Sequence, residues 1–365
     1  MPQAHFRGIM RFKIAVFWCL LFCLSLSQAA SAQAERLVFA LDVIRHGDRS
    51  PIVELPDGVD LWKQGMGQLT PEGMAQEFKL GCTLKDEYIT KTHLLPETYR
   101  ADEMYVRSTD IDRTLMSAQC VLQGLYAGKG PSSMGRPVLP FGYQPIPVHT
   151  KPFNEDLMLV VDFNPKLPAA LKTVYSSPAW KEEEALVRPH FAHWSDLTQM
   201  PIMDLMHVSE LADIIRIREL HKVPLPKGMT EADAKEIIDA GEWAFTQSYK
   251  SPEVGRAGST QILDAIADYF EQVRKERTHL KFVLFSSHDT TIASIMGALG
   301  VPLDRRPPYA SDLNFSLYKQ DKSFTVRIKF NGKSISLPGT TGGTASGAIN
   351  GGCSLEQFLQ IIPKG

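Results

Sequence analysis

One short stretch, Arg45-His46-Gly47-Asp48-Arg49-Ser50-Pro51, holds residue types that can grip and attack an anion. The planar guanidinium group of arginine suits bidentate hydrogen bonds with a phosphate or a carboxylate. A histidine held between two such groups can serve as a nucleophile or as a proton carrier. The alternative is a solvated basic turn after an ordinary strand, since a match to so short a motif is only a hypothesis about function.

Two later stretches carry side chains of the same kind, Arg107 and the pair His288-Asp289. Each has an ordinary structural alternative. Arg107 could be a surface ion-pair partner of Asp110 or Asp112. His288 could be a core histidine, and Asp289 could simply cap the helix that follows it. All of these alternatives would have to hold at once for the stretches to have no function.

Strands are predicted immediately before each of these groups. The apolar runs 37–44, 104–106 and 282–287 read as buried strands, and each passes into a turn or a helix N-terminus. Ligands collect at the carboxyl ends of parallel strands in an open α/β sheet. If the three strands are neighbours, Arg45, Arg49, Arg107, His46, His288 and Asp289 converge on one pocket. A phosphate monoester dianion fits such a pocket, because its oxygens accept charge-assisted hydrogen bonds.

The same residues supply a reaction. A neutral imidazole at His46 could attack phosphorus while the arginines hold the oxygens in line. Asp289 could protonate the leaving alkoxide and then, as a carboxylate, activate water. The prediction is covalent catalysis with no cofactor.

Composition and motifs argue against several other classes. The formal net charge is -2, which gives no overall bias toward nucleic acid. No nucleotide-binding glycine fingerprint and no Cys-x5-Arg motif is present. The pair His190 and His193 has no carboxylate beside it in the sequence, so no metal site is predicted.

The N-terminus has the order of a secretory signal peptide. Arg7, Arg11 and Lys13 precede the apolar run 14–26, and small residues follow up to Ala34. We expect residues 1–34 to be removed, which predicts a periplasmic or secreted protein with no stable membrane anchor. An uncleaved anchor is the alternative.

Three patterns beyond the pocket yield further expectations. Met74, Phe78 and Cys82 recur at four-residue spacing, which predicts a helix with Cys82 as a core thiol. Thr109 followed by Asp112 resembles a capping box. The stretch 313–335 alternates and predicts antiparallel strands.

The quoted motifs resemble the histidine acid phosphatase family of the phosphoglycerate mutase-like fold, with the prostatic, lysosomal and bacterial major acid phosphatases most similar. Supporting stretches are 62–70, 106–114 and 144–150. The resemblance implies an α/β fold with a three-layer core, a mainly parallel sheet and a helical cap. The expected division is signal peptide 1–34, core 35–150 with 256–365, and cap 151–255.

The resemblance also implies roles for the site residues. His46 would be the phosphohistidine nucleophile and Asp289 the proton donor, whereas Arg45, Arg49, Arg107 and His288 would bind the phosphate. Cys353 resembles a family cysteine whose partner in the cap is missing here, so that disulfide is not expected. The single glycosylation-type triplet 314–316 and the missing disulfide fit a bacterial exported protein better than an animal lysosomal one.

Three competing functions stay open at this point. A phytase would share the fold, although phytases more often read His-Asp-Thr-Asn where this chain has Thr291. A non-catalytic phosphate-binding protein would keep the arginines but would not need both His46 and Asp289. A sugar-phosphate mutase conflicts with the signal peptide. The physiological substrate and a homodimer are also open.

Overall fold

The computed structural model of the protein describes residues 34–133, 135–340 and 352–362, so the predicted signal peptide lies almost entirely outside the described residues. The strands are β1 (Arg36–Arg45), β2 (Met104–Ser108), β3 (Ser132–Ser133), β4 (Arg136–Pro137), β5 (Phe282–Ser287), β6 (Asp312–Gln320), β7 (Ser323–Phe330), β8 (Lys333–Ile335) and β9 (Gly352–Ser354). The α-helices are α1 (Pro71–Lys85), α2 (Asp112–Leu125), α3 (Leu167–Tyr175), α4 (Pro178–Val187), α5 (Phe191–Thr198), α6 (Leu205–Leu220), α7 (Glu231–Lys250), α8 (Pro252–Arg274), α9 (Asp289–Ala298) and α10 (Leu355–Ile361). A π-helical turn, Asp86–Lys91, continues α1, and 3-10 turns occupy Val59–Leu61, Pro140–Gly142, Phe153–Glu155, Val161–Phe163 and Arg188–His190.

The main sheet is mixed, and its strand order explains where the site forms. The order is β2-β5-β1-β6-β7-β8, with β9 also paired to β7. Strands β2, β5 and β1 are parallel, whereas β6 to β9 are antiparallel to their neighbours, as the alternation of residues 313–335 predicted. Arg45 pairs with Ser287 and Ser108 with Ser286, so the three parallel strands end at the same edge.

Alternating side chains of β1 separate the two layers of helices. Phe39, Leu41 and Val43 pack into a cluster that includes side chains of α8, α9 and α10. Ala40 and Ile44 face the opposite cluster, to which α2 and the end of α1 contribute. Both faces of the sheet are therefore covered, as expected for parallel strands. The predicted α/β three-layer fold is confirmed.

Helices α3 to α7 pack around a cluster of their own. Trp180, Trp194, Leu211 and Ile237 lie in it, together with Ala293 of α9, which joins it to the core. Helix α8 begins at Pro252 and so crosses the predicted boundary at residue 255. The division into core and cap stays a prediction. Among the described residues, no helix is long and apolar enough to cross a membrane.

The prediction for Cys82 is wrong. Helix α1 buries Gly73, Glu77, Gly81 and Leu84, and Cys82 is exposed. A Cβ on Gly81 would lie 2.1 Å from the carbonyl oxygen of Val121, so α1 and α2 pack with their backbones in close contact. The apolar stripe was misleading because the contact face is made of glycines. Cys82, Cys120 and Cys353 are all free thiols.

Candidate active site

The imidazole of His46 is buried directly after β1 and is held in one tautomer. Its backbone N–H donates to the carbonyl of Ser287 at 3.1 Å, and Nδ1 lies 2.8 Å from the carbonyl oxygen of Gly47. Because a carbonyl oxygen only accepts, Nδ1 carries the proton and Nε2 carries the lone pair. Burial, followed by the nearby charge of Arg45, holds the pKa of His46 well below its usual value. The ring is therefore neutral and suited to nucleophilic attack through Nε2.

A close contact with helix α1 fixes the turn after His46. A Cβ on Gly47 would lie 2.4 Å from the carbonyl oxygen of Gly73. The Gly47 N–H donates to Ser117 Oγ of α2 at 3.1 Å. Thr70, the N-cap of α1, donates from Oγ1 to Asp48 Oδ2 at 2.5 Å. The turn is thus anchored on both helices of this face.

The predicted arginines lie at the same edge of the sheet and have unmatched donors. The Nε atoms of Arg45, Arg49, Arg107 and Arg113 are buried and have no hydrogen-bond partner among the described residues. Buried donors without partners are costly and rare. Three of these arginines, Arg45, Arg49 and Arg113, lie close enough to His46 to contribute to its lowered pKa, so their unmatched donors indicate an anion-binding site beside it.

Each predicted arginine is also held by a fixed partner. Nη2 of Arg45 lies 3.0 Å from Asp289 Oδ2, and Nη2 of Arg107 lies 2.5 Å from Asp156 Oδ1. Arg107 thus pairs with neither Asp110 nor Asp112. Burial alone would lower the pKa of Arg49, but the Asp213 carboxylate raises it above the usual value of arginine. These guanidinium groups are therefore fixed cations.

His288 lies beside His46 at the start of α9. The two ring centroids are 5.7 Å apart at an interplanar angle of 71°. His288 Nε2 lies 3.2 Å from Thr109 Oγ1. Burial, with the charge of Arg113, lowers the pKa of His288 to about 3. His288 is therefore a neutral hydrogen-bonding group.

Asp289 is a carboxylate in this structure. Its Oδ2 accepts from Arg45 at 3.0 Å and from Arg306 at 3.1 Å, and Oδ1 accepts from the Thr290 N–H at 2.9 Å. Burial alone would raise the pKa of Asp289, but Arg45 and Arg306 hold it well below the usual range of a carboxyl group. Protonation of Asp289 thus requires a change in its surroundings.

Three residues at this edge were not singled out from the sequence. Arg113 adds an unmatched donor, Arg306 contacts Asp289, and the ring of Tyr309 lies 4.2 Å from Cζ of Arg45. Arg113 could have been noticed, since it follows Arg107 on the same strand-to-helix unit. Arg306 and Tyr309 lie in a loop without periodicity, so nothing in the sequence indicated them.

Thr109 was assigned the wrong role. Helix α2 begins at Asp112 with Ile111 as its N-cap, and no side-chain cap is formed there. The Thr109 hydroxyl instead contacts Thr114 Oγ1 at 2.7 Å and His288. Thr109 therefore belongs to the site and not to a capping box.

Among the described residues, one group has the spacing of a metal site, Asp48 with Glu72 and His221. His221 Nε2 already lies 2.7 Å from Asp48 Oδ2, which also accepts from Thr70. His190 and His193 each have a carboxylate nearby, Glu236 and Asp233, both at 3.6 Å, but the two histidines do not share one. The metal-free site stays a prediction.

Comparison with known proteins finds relatives over most of the chain. The family model of the histidine phosphatase superfamily, branch 2, matches residues 36–331. Prostatic acid phosphatase of Bos taurus is 31% identical over 345 residues, which cover 90% of this chain and 85% of that protein. Lysosomal acid phosphatase of Xenopus laevis is 33% identical over 360 residues, which cover 94% and 80% of the two chains.

Solved structures of phytases share the fold. The phytase from Citrobacter braakii superposes with a TM-score of 0.65 at 18% identity, covering 89% of this chain and 97% of that one. Hafnia alvei phytase with myo-inositol hexakis sulphate gives a TM-score of 0.63 at 17% identity, covering 91% and 97%. At these identities the likeness concerns the fold alone.

Proposed function

The chain belongs to the histidine phosphatase superfamily, branch 2, and we propose that it hydrolyses phosphate monoesters through a phosphohistidine on His46. As a histidine acid phosphatase it is a phosphoric monoester hydrolase. The mechanism and the residue roles are our proposal.

The four unmatched Nε donors of Arg45, Arg49, Arg107 and Arg113 carry this proposal. A phosphate monoester dianion supplies several acceptor oxygens, and each charge-assisted hydrogen bond is stronger than a neutral one. Arg45, Arg49 and Arg107 are the proposed phosphate ligands, with His288 as a neutral hydrogen-bond donor to the same group. Arg113 joins them as a fourth cation.

In the first step, the His46 Nε2 lone pair attacks phosphorus. A P–N bond forms and the ester P–O bond breaks, with its electron pair passing to the leaving oxygen. Asp289 gives that oxygen its proton. In the second step, Asp289 takes a proton from water as water attacks phosphorus, and the P–N bond breaks to release phosphate and neutral His46.

Substrate binding makes it easier for Asp289 to take up from solvent the proton that it lacks in the free protein. A dianion beside Asp289 adds negative charge and engages Arg45, and like charge disfavours an ionised carboxylate. Asp289 can then be protonated in acid. Because leaving-group departure needs this proton, we expect the rate to fall as the pH rises from acid toward neutral.

Quenching the reaction during turnover tests the mechanism directly. We expect a 32P-labelled substrate to leave label on the wild-type protein that is stable in alkali and lost in acid, as a phosphoramidate requires. His46→Ala should carry no label and release no phosphate, and the surface variant His190→Ala should behave as wild type. Phosphate release by His46→Ala would overturn the mechanism. A wild-type protein that binds phosphate without turnover would instead identify a non-catalytic binding protein.

A phytase-like activity is the competing proposal. Thr291 stands where phytases more often have asparagine, and its hydroxyl donates to the Leu159 carbonyl at 2.8 Å. Because its hydroxyl makes this hydrogen bond inside the protein, Thr291 has a structural role. We therefore expect faster turnover of simple monoesters than of phytate, and the reverse ratio would favour the phytase.

We also propose export to the periplasm or the exterior, with residues 1–34 removed and residues 151–255 forming the cap over the site. N-terminal sequencing of the purified protein would test the cleavage. The molar mass in solution would test whether the protein forms a homodimer.

A further inference from the structure

Arg306 contacts the proposed proton donor from outside the phosphate pocket. Its Nη1 lies 3.1 Å from Asp289 Oδ2, the same oxygen that accepts from Arg45 Nη2 at 3.0 Å. One carboxylate oxygen is thus held by two guanidinium groups. The two arginines differ in their other contacts, which suggests different roles.

Helix α7 holds Arg306 in place. The backbone N–H of Arg306 donates to Glu242 Oε2 at 3.1 Å, and its Cζ lies 4.1 Å from the centre of the Phe245 ring. The side chain of Arg306 is only 18% exposed. A guanidinium group between a carboxylate and an aromatic face is well fixed.

Arg45 and Arg306 therefore behave differently when substrate binds. Arg45 has an unmatched Nε and a place among the proposed phosphate ligands, so the substrate partly neutralises it. The Nε of Arg306 is not among the buried unmatched donors of the described residues. The carboxylates that act on Arg306 are Asp289, Asp213 of α6 and Glu242 of α7, and Phe245 lies beside it. Arg306 is the cation that stays on Asp289 throughout the reaction.

We propose that Arg306 is a positioning residue for Asp289, which fixes Oδ2 toward the leaving group and opposes its protonation, and so sets the alkaline limit of the phosphatase reaction. This inference rests on the proposed function, because it requires Asp289 to be the proton donor. It also links α7 to the chemistry, since Glu242 and Phe245 determine where Arg306 lies.

The expected effect is a displaced pH profile. An opposite charge within hydrogen-bonding distance lowers a carboxyl pKa by about 1–3 units, so loss of Arg306 should move the alkaline limb of kcat upward by about one pH unit. The plateau should fall, because Asp289 is then a weaker acid and less well placed. A purely structural loss would lower kcat at every pH without moving the limb.

The experiment measures kcat against pH for glycerol 2-phosphate, whose alkoxide leaving group needs a proton. The variants are Arg306→Met, Arg306→Gln as a second neutral form, and Arg306→Lys, which keeps the charge. The matched control is Arg305→Met, because Arg305 is 74% exposed and pairs with Asp304 at 3.6 Å. We expect both neutral variants to shift the limb upward, and Arg306→Lys and Arg305→Met to stay near wild type.

Two contrary results have different meanings. If Asp289→Asn is inactive but the limb of Arg306→Met and Arg306→Gln coincides with wild type, the role of Arg306 is overturned and the proposed function stands. If Asp289→Asn keeps the wild-type rate and profile, the proton donor is wrongly assigned, and the proposed mechanism fails together with this inference. Circular dichroism melting of each variant identifies a folding defect, and either neutral variant that folds decides the question.

Discussion

Both carboxylate oxygens of Asp213, on helix α6, accept hydrogen bonds from Nη2 of Arg49 in the turn after β1, at 3.0 and 3.2 Å. The α6 helix thereby fixes one of the proposed phosphate ligands from outside the sheet. Arg49 also donates to the Ser50 carbonyl at 3.3 Å, and its buried Nε has no partner among the described residues. A displacement of α6 would therefore also displace Arg49 and change the shape of the proposed phosphate site.

Asp213→Asn should weaken substrate binding. Hydrogen bonds to charged groups contribute about 1.5–3 kcal/mol, so a less well-oriented Arg49 should raise KM about tenfold or more. Steady-state kinetics on a simple monoester measures this, with kcat expected to change less. Asp239→Asn is the control, because Asp239 is an exposed residue of α7 that pairs with Lys235. An unchanged KM in Asp213→Asn would show that Arg49 does not need this partner.

Thr109→Val should impair the chemical step. The change removes the hydroxyl 3.2 Å from His288 Nε2 and keeps the volume of the side chain, so the imidazole loses its orientation. We expect kcat to fall about fivefold, in line with a net hydrogen-bond contribution of about 1 kcal/mol, and Thr109→Ser to recover most of it. Equal losses in both variants would indicate a packing defect instead.

Arg113→Met should reduce the affinity for inorganic phosphate. Burial, followed by repulsion from Arg49, lowers the pKa of Arg113 to about 10, and a bound dianion relieves that repulsion. Loss of the unmatched donor should weaken the Kd about tenfold, measured by isothermal titration calorimetry. Phosphate should also raise the melting temperature of the wild type more than that of the variant. Arg100→Met, which alters an exposed arginine paired with Asp102, should match wild type in both measurements.

Asp42→Asn should remove one contribution to the pH dependence of stability. Asp42 is fully buried in β1 and accepts hydrogen bonds from Tyr88 at 2.8 Å and Asn314 at 2.6 Å. Burial raises its pKa from 3.8 to about 7, despite these donors. The protonated form thus stabilises the fold below pH 3.8, and this contribution is lost as the pH rises to about 7.

The lost contribution is at most roughly 4 kcal/mol, at about 1.4 kcal/mol per pKa unit. The melting temperature of the wild type should therefore exceed that of Asp42→Asn by more in acid than at neutral pH. Burial also raises the pKa of Glu77 and Asp312 and lowers that of His46 and His288, so these groups give both proteins a common pH dependence that cancels in the comparison. Parallel curves for the two proteins would refute the assignment to Asp42.

The residues predicted best from the sequence are those at strand ends. His46 and His288 follow apolar runs that could only be buried strands, and parallel strands bring their ends to one edge. Thr109 was misread because a hydroxyl before a helix looks like a cap, and only the tertiary contact with His288 shows its other use. Arg306 could not be found at all, since its contact with Asp289 depends on where α7 holds the loop.

Helix packing was predicted least well. The α1–α2 contact rests on Gly81 and on the reciprocal Gly124, whose Cβ would lie 2.3 Å from the Phe78 carbonyl oxygen. Periodicity arguments count large apolar side chains, whereas here the absence of side chains allows the approach. The charged residue Glu77 on the same buried face would also have argued against a helix contact there.

The place of β1 in the sheet has a consequence for biosynthesis. Strand β1 carries the proposed nucleophile and precedes the other described strands, yet its two partners, β5 (Phe282–Ser287) and β6 (Asp312–Gln320), are synthesised only after helices α1 to α8. A ribosome-bound chain that has emerged only as far as α8 holds His46 on a strand with neither neighbour, and it lacks Asp289. On the proposed mechanism, phosphatase activity therefore requires synthesis of the chain at least through β6, and a shorter nascent chain should be inactive.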